Sequence, residues 1–420
     1  MIWFRALSAL IACTVTVSAS DWPQWRGPTH NGISPETNIP TEWSESKNIV
    51  WKLKMPGIGA STPVIAGDRI FVTSVDGSDV VVICVGTDGK EQWKSKLSNT
   101  GAKRYKNPAG ADVSDASASC VTDGKHVWAF AGNGSLACWT VDGKKVWDTD
   151  LSKFGKIDIA FGAHWTPVLY KGKLYLQVMH RKAQKLVCFD AVSGKEEWVV
   201  DRAGAGKGES PDVYASAFVW DGEGGPLLIC HGNDFTTGHK LNDGSEVWRV
   251  VGLNPSNSGA WRFVSNPLIT PDKIIVPSCK NGPTVGVNPS TAKGTIDGDN
   301  AAQLWRIKTT PDVVAPLRFD DVVYLCGHGP IAAHDIKTGE LLYKGDLSKG
   351  YHWANMVATA DGKIYATSQE GVTDVIQADK KELKKIGSNT LPDKIFGSPA
   401  IAGGRIYIRG YGYLWAIGTK

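Results

Sequence analysis

Cys188-Phe189-Asp190-Ala191-Val192-Ser193-Gly194-Lys195-Glu196-Glu197-Trp198 reads as a strand, a tight turn and a second strand carrying an indole. Apolar residues lead into Asp190, Gly194 can take the positive φ that a hairpin turn asks for, and Trp198 follows the glycine by four positions. The phrase recurs. Gly89 precedes Trp93, Gly143 precedes Trp147, Gly244 precedes Trp248 and Gly339 precedes Tyr343, each by four. Trp51 and Trp305 look like further copies whose turns are absent or altered. Unequal insertions leave the period loose, at about 40–55 residues, within the range of four-stranded propeller blades.

A second phrase lies upstream of each turn: a small residue, often a proline, an apolar pair, a polar turn and a strand. Ser61 to Val72, Thr166 to Leu176 and Ser398 to Ile408 are its clearest copies, and weaker ones start near Ser119, Ser216, Asn266, Ala315 and Val357. Each copy supplies two strands joined by a Gly- or Asp-containing hairpin. With the two strands around the glycine–tryptophan turn, each unit becomes four antiparallel strands. Blades are expected at about 59–93, 117–147, 164–198, 214–248, 263–305, 314–343, 355–386 and 397–417. The last of these has only three strands before the chain stops, whereas Ile49-Val50-Trp51-Lys52 is a strand with no blade of its own. Joining the two closes the ring and hides two exposed edges. The fold expected is all-β, one eight-bladed propeller of residues 49–420 latched by its own N-terminal strand.

These phrases resemble the blades of the quinoprotein-like propellers, whose Ala-x-Asp-x-x-Thr-Gly-Lys-x-x-Trp signature is matched by Cys188 to Trp198 with Cys for Ala and Ser for Thr. Ala333 to Tyr343 matches it with Glu for Lys and Tyr for Trp. The resemblance covers nearly all of the chain after its leader. It implies that the indole of one blade packs on the turn of the next, which buries sheet faces that a lone blade leaves wet. It specifies architecture rather than activity.

Hydrophobic residues at 42% and charged residues at 21% suit a globular protein, and a net charge of +4 with scattered Lys and Arg shows no stripe for nucleic acid. Residues 1–19 read as a signal peptide: Arg5, the apolar run Ala6 to Val17, then small residues at Val17-Ser18-Ala19. The rival reading is a lipobox at Leu10-Ile11-Ala12-Cys13 with a lipid anchor on Cys13. Either one exports the chain to the periplasm or cell surface, and no second apolar run is long enough to span a bilayer. Seven cysteines follow, Cys84, Cys120, Cys138, Cys188, Cys230, Cys279 and Cys326, at what look like similar strand positions. Without a CxxC spacing they read as small buried apolar residues, with disulfide pairing left open.

Residues 20–48 form an N-terminal strap around Trp22-Pro23-Gln24-Trp25-Arg26-Gly27-Pro28, a phrase that resembles the pre-blade segment of exported bacterial members of the group. Its prolines and glycines forbid a regular helix, and it is expected to pack on the propeller with Arg26 over an indole; the alternative makes it part of a ligand site or partner surface. Asn288 to Ala302 is a Gly/Asp-rich insertion whose Asp297-Gly298-Asp299-Asn300 resembles part of a calcium loop but lacks the closing glutamate, so it reads as a solvated turn.

In a propeller, ligands sit at the channel mouth, where connections enter the innermost strands. The residues expected to converge there are His164, Trp165, Tyr214, Arg262, Asn266, His352, Trp353, Asn355 and Phe396, with Ser61, Asp115 and Ser117 nearby. Aromatics, histidines, an arginine and amides would form a polar, π-rich mouth for a planar anion, a sugar or a peptide segment. The plainer alternative is that they satisfy local backbone groups. The resemblance also implies a catalytic option, pyrroloquinoline quinone held with calcium over a tryptophan floor such as Trp165 or Trp353. The adjacent Cys-Cys pair and acidic-amide cluster of that pattern are missing here. Gly-x-Ser-x-Gly and a phosphate loop are absent too. The first expectation is therefore an exported, non-catalytic binding or scaffold protein, monomeric, without cofactor or metal, offering its mouth to a protein partner or extracellular ligand. A quinone-dependent oxidoreductase and a carbohydrate-binding or carbohydrate-cleaving propeller are the alternatives.

Overall fold

The computed structural model describes residues 21–99, 104–106, 112–202, 204–280 and 282–419. The leader and Cys13 lie outside the described residues. Eight antiparallel sheets succeed one another along the chain. Blade 1 pairs Val64–Ala66, Arg69–Asp76, Asp79–Gly86 and Glu91–Ser98 in simple up-and-down order. Blades 2 to 7 repeat the pattern over 121–150, 168–201, 218–250, 268–307, 317–346 and 357–390. Blade 8 takes Ala400–Ala402, Arg405–Arg409 and Tyr413–Ile417 from the end of the chain and Ile49–Lys54 from its beginning. The latch is antiparallel, with Trp51 opposite Ala416 and Leu53 opposite Leu414.

The docking of indoles follows from the turns. Trp51 donates its Nε1–H to the Thr87 carbonyl of blade 1 at 2.9 Å, Trp93 to Val141 at 2.8 Å, Trp147 to Ala191 at 2.9 Å, Trp198 to Leu241 at 3.0 Å and Trp305 to Ile336 at 3.0 Å. Tyr343 imitates them through its hydroxyl on the Asp379 carbonyl at 3.2 Å. Each bond satisfies an indole donor while its ring covers the neighbour's hairpin. The turn glycine must be bare for this. A Cβ on Gly143, which has φ 89°, would stand 2.8 Å from Cγ of Trp93. We therefore expect Gly143→Ala to cost about 3 kcal/mol, strain and clash together. Gly403→Ala, at φ 59° in open space, costs about 1 kcal/mol for the backbone alone. Denaturant midpoints read the difference, and equal midpoints would refute the docking account.

Two joints depart from the series, and each has its own seal. Trp248 of blade 4 has no docking turn, because the insertion strand Gly294–Ile296 pairs in parallel with Glu246–Val250 and Ile296 packs in the same core as the indole. The insertion thus supplies a fifth strand to blade 4, and beyond it Asp297, Gly298 and Asp299 are exposed in a turn, as read from the chain. Blade 7 has Gly387 where an outer-strand indole would stand, opposite Val375. The strap covers that place: the Asn389 side chain accepts from Trp43 N at 2.7 Å and donates to the Thr41 carbonyl, and Trp43 stacks on Tyr365.

All seven described cysteines are free and buried. Only Cys84, Cys138 and Cys188 share a strand position. Each faces its blade's own tryptophan across a bulged pair, Cys84 with Trp93, Cys138 with Trp147 and Cys188 with Trp198. Blades 4 and 5 place Gly238 and Gly286 there, and a Cβ on either would fall within 2.4 Å of the indole. A small residue is what the ring beside it permits. Cys230 and Cys326 lie on second strands, and Cys120 and Cys279 beside strand ends, which corrects the expectation of one shared position.

Candidate functional site at the channel mouth

The strap does more than lie on the surface. Trp22 bridges to Ile65 of blade 1, and Thr122 of blade 2 donates to the Pro23 carbonyl. Trp25 stacks on Phe218 of blade 4 at 5.7 Å, and Arg26 reaches the Pro316 carbonyl at blade 6. Ile33–Ser34 then pairs in parallel with Val357–Thr359 of blade 7, and Glu36 accepts from Gly404 N of blade 8. These contacts are to the innermost strands and to the turns beyond them, so the strap fills the channel below the mouth. Arg26 spends its guanidinium on the carbonyls of His30, Asn31 and Pro316 rather than on an indole face.

Above the strap a cavity of about 440 Å³ opens, with Trp25 among its walls. Its lower tier is a ring of small polar residues at the start of each innermost strand. Thr62 N donates to Ser119 Oγ, Ser119 N to Thr166 Oγ1 and Thr166 N to Ser216 Oγ. Asn266 Nδ2 donates to the Ser216 carbonyl, Ser265 Oγ to that of Val314, Ala315 N to Asn355 Oδ1 and Asn355 N to Ser398 Oγ. Blade is stitched to blade around the ring. Each bond satisfies a backbone group that the sheet ladder leaves over, so these amides and hydroxyls serve the fold first.

The upper tier is aromatic and charged. Phe161 and His164 of the third blade's approach contact Tyr214 at 6.0 and 5.9 Å, and the Arg262 guanidinium lies 4.8 Å over Phe161 while pairing with Glu209 at 2.9 Å. His164 donates from Nε2 to the Phe161 carbonyl at 2.7 Å, and burial lowers its pKa, so it stands neutral. Across the opening, Trp353 meets Phe396 edge-on at 5.4 Å, and Phe396 stacks on Tyr411 at 4.9 Å. His328 contacts Tyr351 at 5.2 Å and bonds Asp312 at 3.2 Å, which holds that carboxyl below its usual range.

Of the residues expected at the mouth, His164, Tyr214, Arg262, Asn266, Trp353, Asn355 and Phe396 line this cavity. Trp165 does not. It is wholly buried, donates to the Val213 carbonyl at 2.8 Å and stacks on His180 inside the blades. His352 is likewise buried behind the wall. The reason is the alternation of extended backbone: His164 and Trp353 face the channel, so their neighbours face away. Trp25 lines the cavity too, in keeping with the alternative reading of the strap, whereas Phe161, Lys280, Asp312, His328, Tyr351 and Tyr411 were missed. His328 and Tyr411 lie between glycines in hairpins joining second to third strands, and Gly-His-Gly and Gly-Tyr-Gly were the available signals.

Residues 78–266 match the family described as outer membrane protein assembly factor BamB. No curated protein sequence matches the chain. Among solved structures, BamB from Moraxella catarrhalis is similar with a TM-score of 0.63 at 13% identity, covering 89% of this chain and 97% of that one. A europium-containing methanol dehydrogenase gives 0.70 at 11%, with 94% and 91% covered. The quinohemoprotein alcohol dehydrogenase from Comamonas testosteroni gives 0.62 at 13%, with 97% and 82% covered. Likeness at these identities is likeness of fold.

The dehydrogenase fold raises the question of a quinone with its metal. A hard cation such as calcium asks for about six to eight oxygen ligands. The carboxylate lining this mouth is Asp312, already bonded to His328, and Asn266 and Asn355 hold blade-to-blade bonds. No three His, Cys, Asp or Glu side chains among the described residues gather to hold a metal. The residues present do not fit that group. The eight blades and the docked indoles make the chain an eight-bladed β-propeller, similar over residues 78–266 to the PQQ-repeat family described as outer membrane protein assembly factor BamB.

Proposed function

We propose that this protein is an exported, non-catalytic binding propeller that presents its channel mouth to a protein partner or extracellular ligand. The observation that carries the reading is the division of labour at the mouth. Its lower-tier amides and hydroxyls are spent on stitching the blades, and what faces the opening is a rigid ring of aromatics with charged groups paired among them. That is the make-up of a recognition surface, in which rigid aromatics give contact area at low entropic cost. No helix among the described residues is long and apolar enough to cross a membrane. The likeness to BamB supports a role without catalysis, and the likeness to dehydrogenases keeps a quinone-dependent reaction as the rival.

The test has two arms. The mature protein is dialysed with pyrroloquinoline quinone and either calcium or a lanthanide, then assayed for dye reduction with alcohols and aldoses. No stoichiometric uptake and no turnover are expected, and a bound, reducing quinone would overturn the reading. In the second arm a photoreactive residue replaces Tyr351 or Tyr411 in the exporting cell. A discrete adduct is expected from both and not from position 192 on the opposite side of the molecule. No adduct from either mouth position would remove the binding role.

A further inference from the structure

We infer that the ligand of the mouth is a neutral carbohydrate, seated on the side formed by blades 6 to 8. The inference rests on reading the mouth as a binding site. Three features of the mouth point to a sugar ring rather than to an anion or a greasy group.

The first is the aromatic corner. Trp353 edge-on to Phe396, and Phe396 stacked on Tyr411, fix three rings against one another, with Tyr351 half-exposed beside them. A pyranose presents C–H faces that cover such rings while its hydroxyls point outward. The cavity volume is that of a small organic ligand.

The second is an unmatched donor on a pair of tied loops. The Tyr351 carbonyl accepts from Gln369 N at 2.8 Å, tying 350–353 to 368–370. Of the residues on these loops Tyr351 and Trp353 line the mouth, and the buried Nε1–H of Trp353 has no protein partner. Folded proteins keep few such groups, and an unmatched indole donor beside the cavity calls for an acceptor there. A sugar hydroxyl both donates and accepts, so it can take that hydrogen. The Asp312–His328 pair on the same side adds an acceptor beside a donor.

The third is charge. Both cations that line the mouth are engaged: Arg262 pairs with Glu209, and Lys280 Nζ donates to the Ala260 carbonyl. Asp312 stands in the same wall. Arg262 is offset by Glu209 and Lys280 by Asp312, so the charges at the mouth balance and give an anion no advantage over a neutral polyol.

The experiment is a printed array of neutral and acidic oligosaccharides probed with the full mature protein, followed by calorimetric titration of the best neutral binder. Wild type is expected to bind neutral glycans. Trp353→Ala and Tyr411→Ala should each weaken binding by about tenfold or more. Melting temperatures of all variants are measured, and Trp353→Phe, which keeps a ring, should retain most of the affinity. Adducts from the mouth with no glycan bound would overturn the ligand class, leave the binding role standing and mean that ordered water satisfies the buried donor. Absence of both adducts and glycans would remove the two readings together. Preference for acidic glycans, or affinity indifferent to Trp353→Ala, would also overturn the inference.

Discussion

A chain that starts at residue 55 melts at least ~10 °C below the full chain, with a broadened transition. The latch Ile49–Lys54 is the fourth strand of blade 8, and its loss leaves Tyr413–Ile417 as a bare edge beside blade 1. It also removes the Trp51 indole from the Thr87 carbonyl and from Gly89, whose Cβ position lies 2.7 Å from the ring. In an open array the end repeats fray, and here the joint between blades 8 and 1 would become such an end. Truncation removes the strap as well, so a second variant isolates the latch. Trp51→Ala leaves strap and strand in place and should cost toward the low end of about 3–5 kcal/mol, since the ring is only part-buried. Thermal unfolding followed by circular dichroism reads both. An unchanged melting temperature in the truncated chain would end the closure account.

The blades were legible because their cause is local. A turn glycine four residues before an indole, and a small residue with proline before an apolar pair, are demands of backbone and packing that recur wherever a blade must stack. The latch could be found by counting strands. Faces at the mouth were harder. Trp165 and His164 are adjacent and equally suited by type, but only the register of the extended backbone decides which one reaches the channel, and here the indole went to Phe130 and His180. Asn266 and Asn355 reach the mouth as expected, yet their amides are committed to neighbouring blades, and such bonds span 40 or more positions in the chain. Trp25 could not be placed by any local rule. It reaches the cavity because the strap crosses from blade 1 to blade 8 through the channel. The seal of blade 7 by Trp43 has the same origin, since the missing indole and its substitute are separated by most of the chain.

The strap makes the second large prediction. Arg26 is 2% exposed, and burial lowers its pKa to about 10 with no carboxylate among the causes, so it remains a cation at neutral pH. What holds it is carbonyl dipoles: His30 at 3.3 Å, Asn31 at 3.0 Å and Pro316 at 2.9 Å. It also sits at φ 66°, directly before Gly27, over whose Cα the Trp22 ring lies within 2.9 Å of a Cβ position. Removing the guanidinium leaves one buried acceptor, on Pro316, and two part-buried ones, on His30 and Asn31, at about 1–3 kcal/mol for a buried group left unmatched. Part of that is recovered, because the desolvation of the charge disappears with it. Arg26→Ala should therefore destabilise the protein by about 3 kcal/mol. Arg26→Lys should do little better, because an ammonium cannot span carbonyls placed for a planar fork. Pro316 belongs to the far side of the ring from Ile65, so the bond at Pro316 pins the strap across the channel. Its loss should expose residues 21–48 to limited proteolysis and, through the adjacent Trp25, weaken whatever binds at the mouth. A variant that melts with wild type, keeps its strap protected and binds unchanged would show that the strap is a passive cover and that the mouth is built by the blades alone.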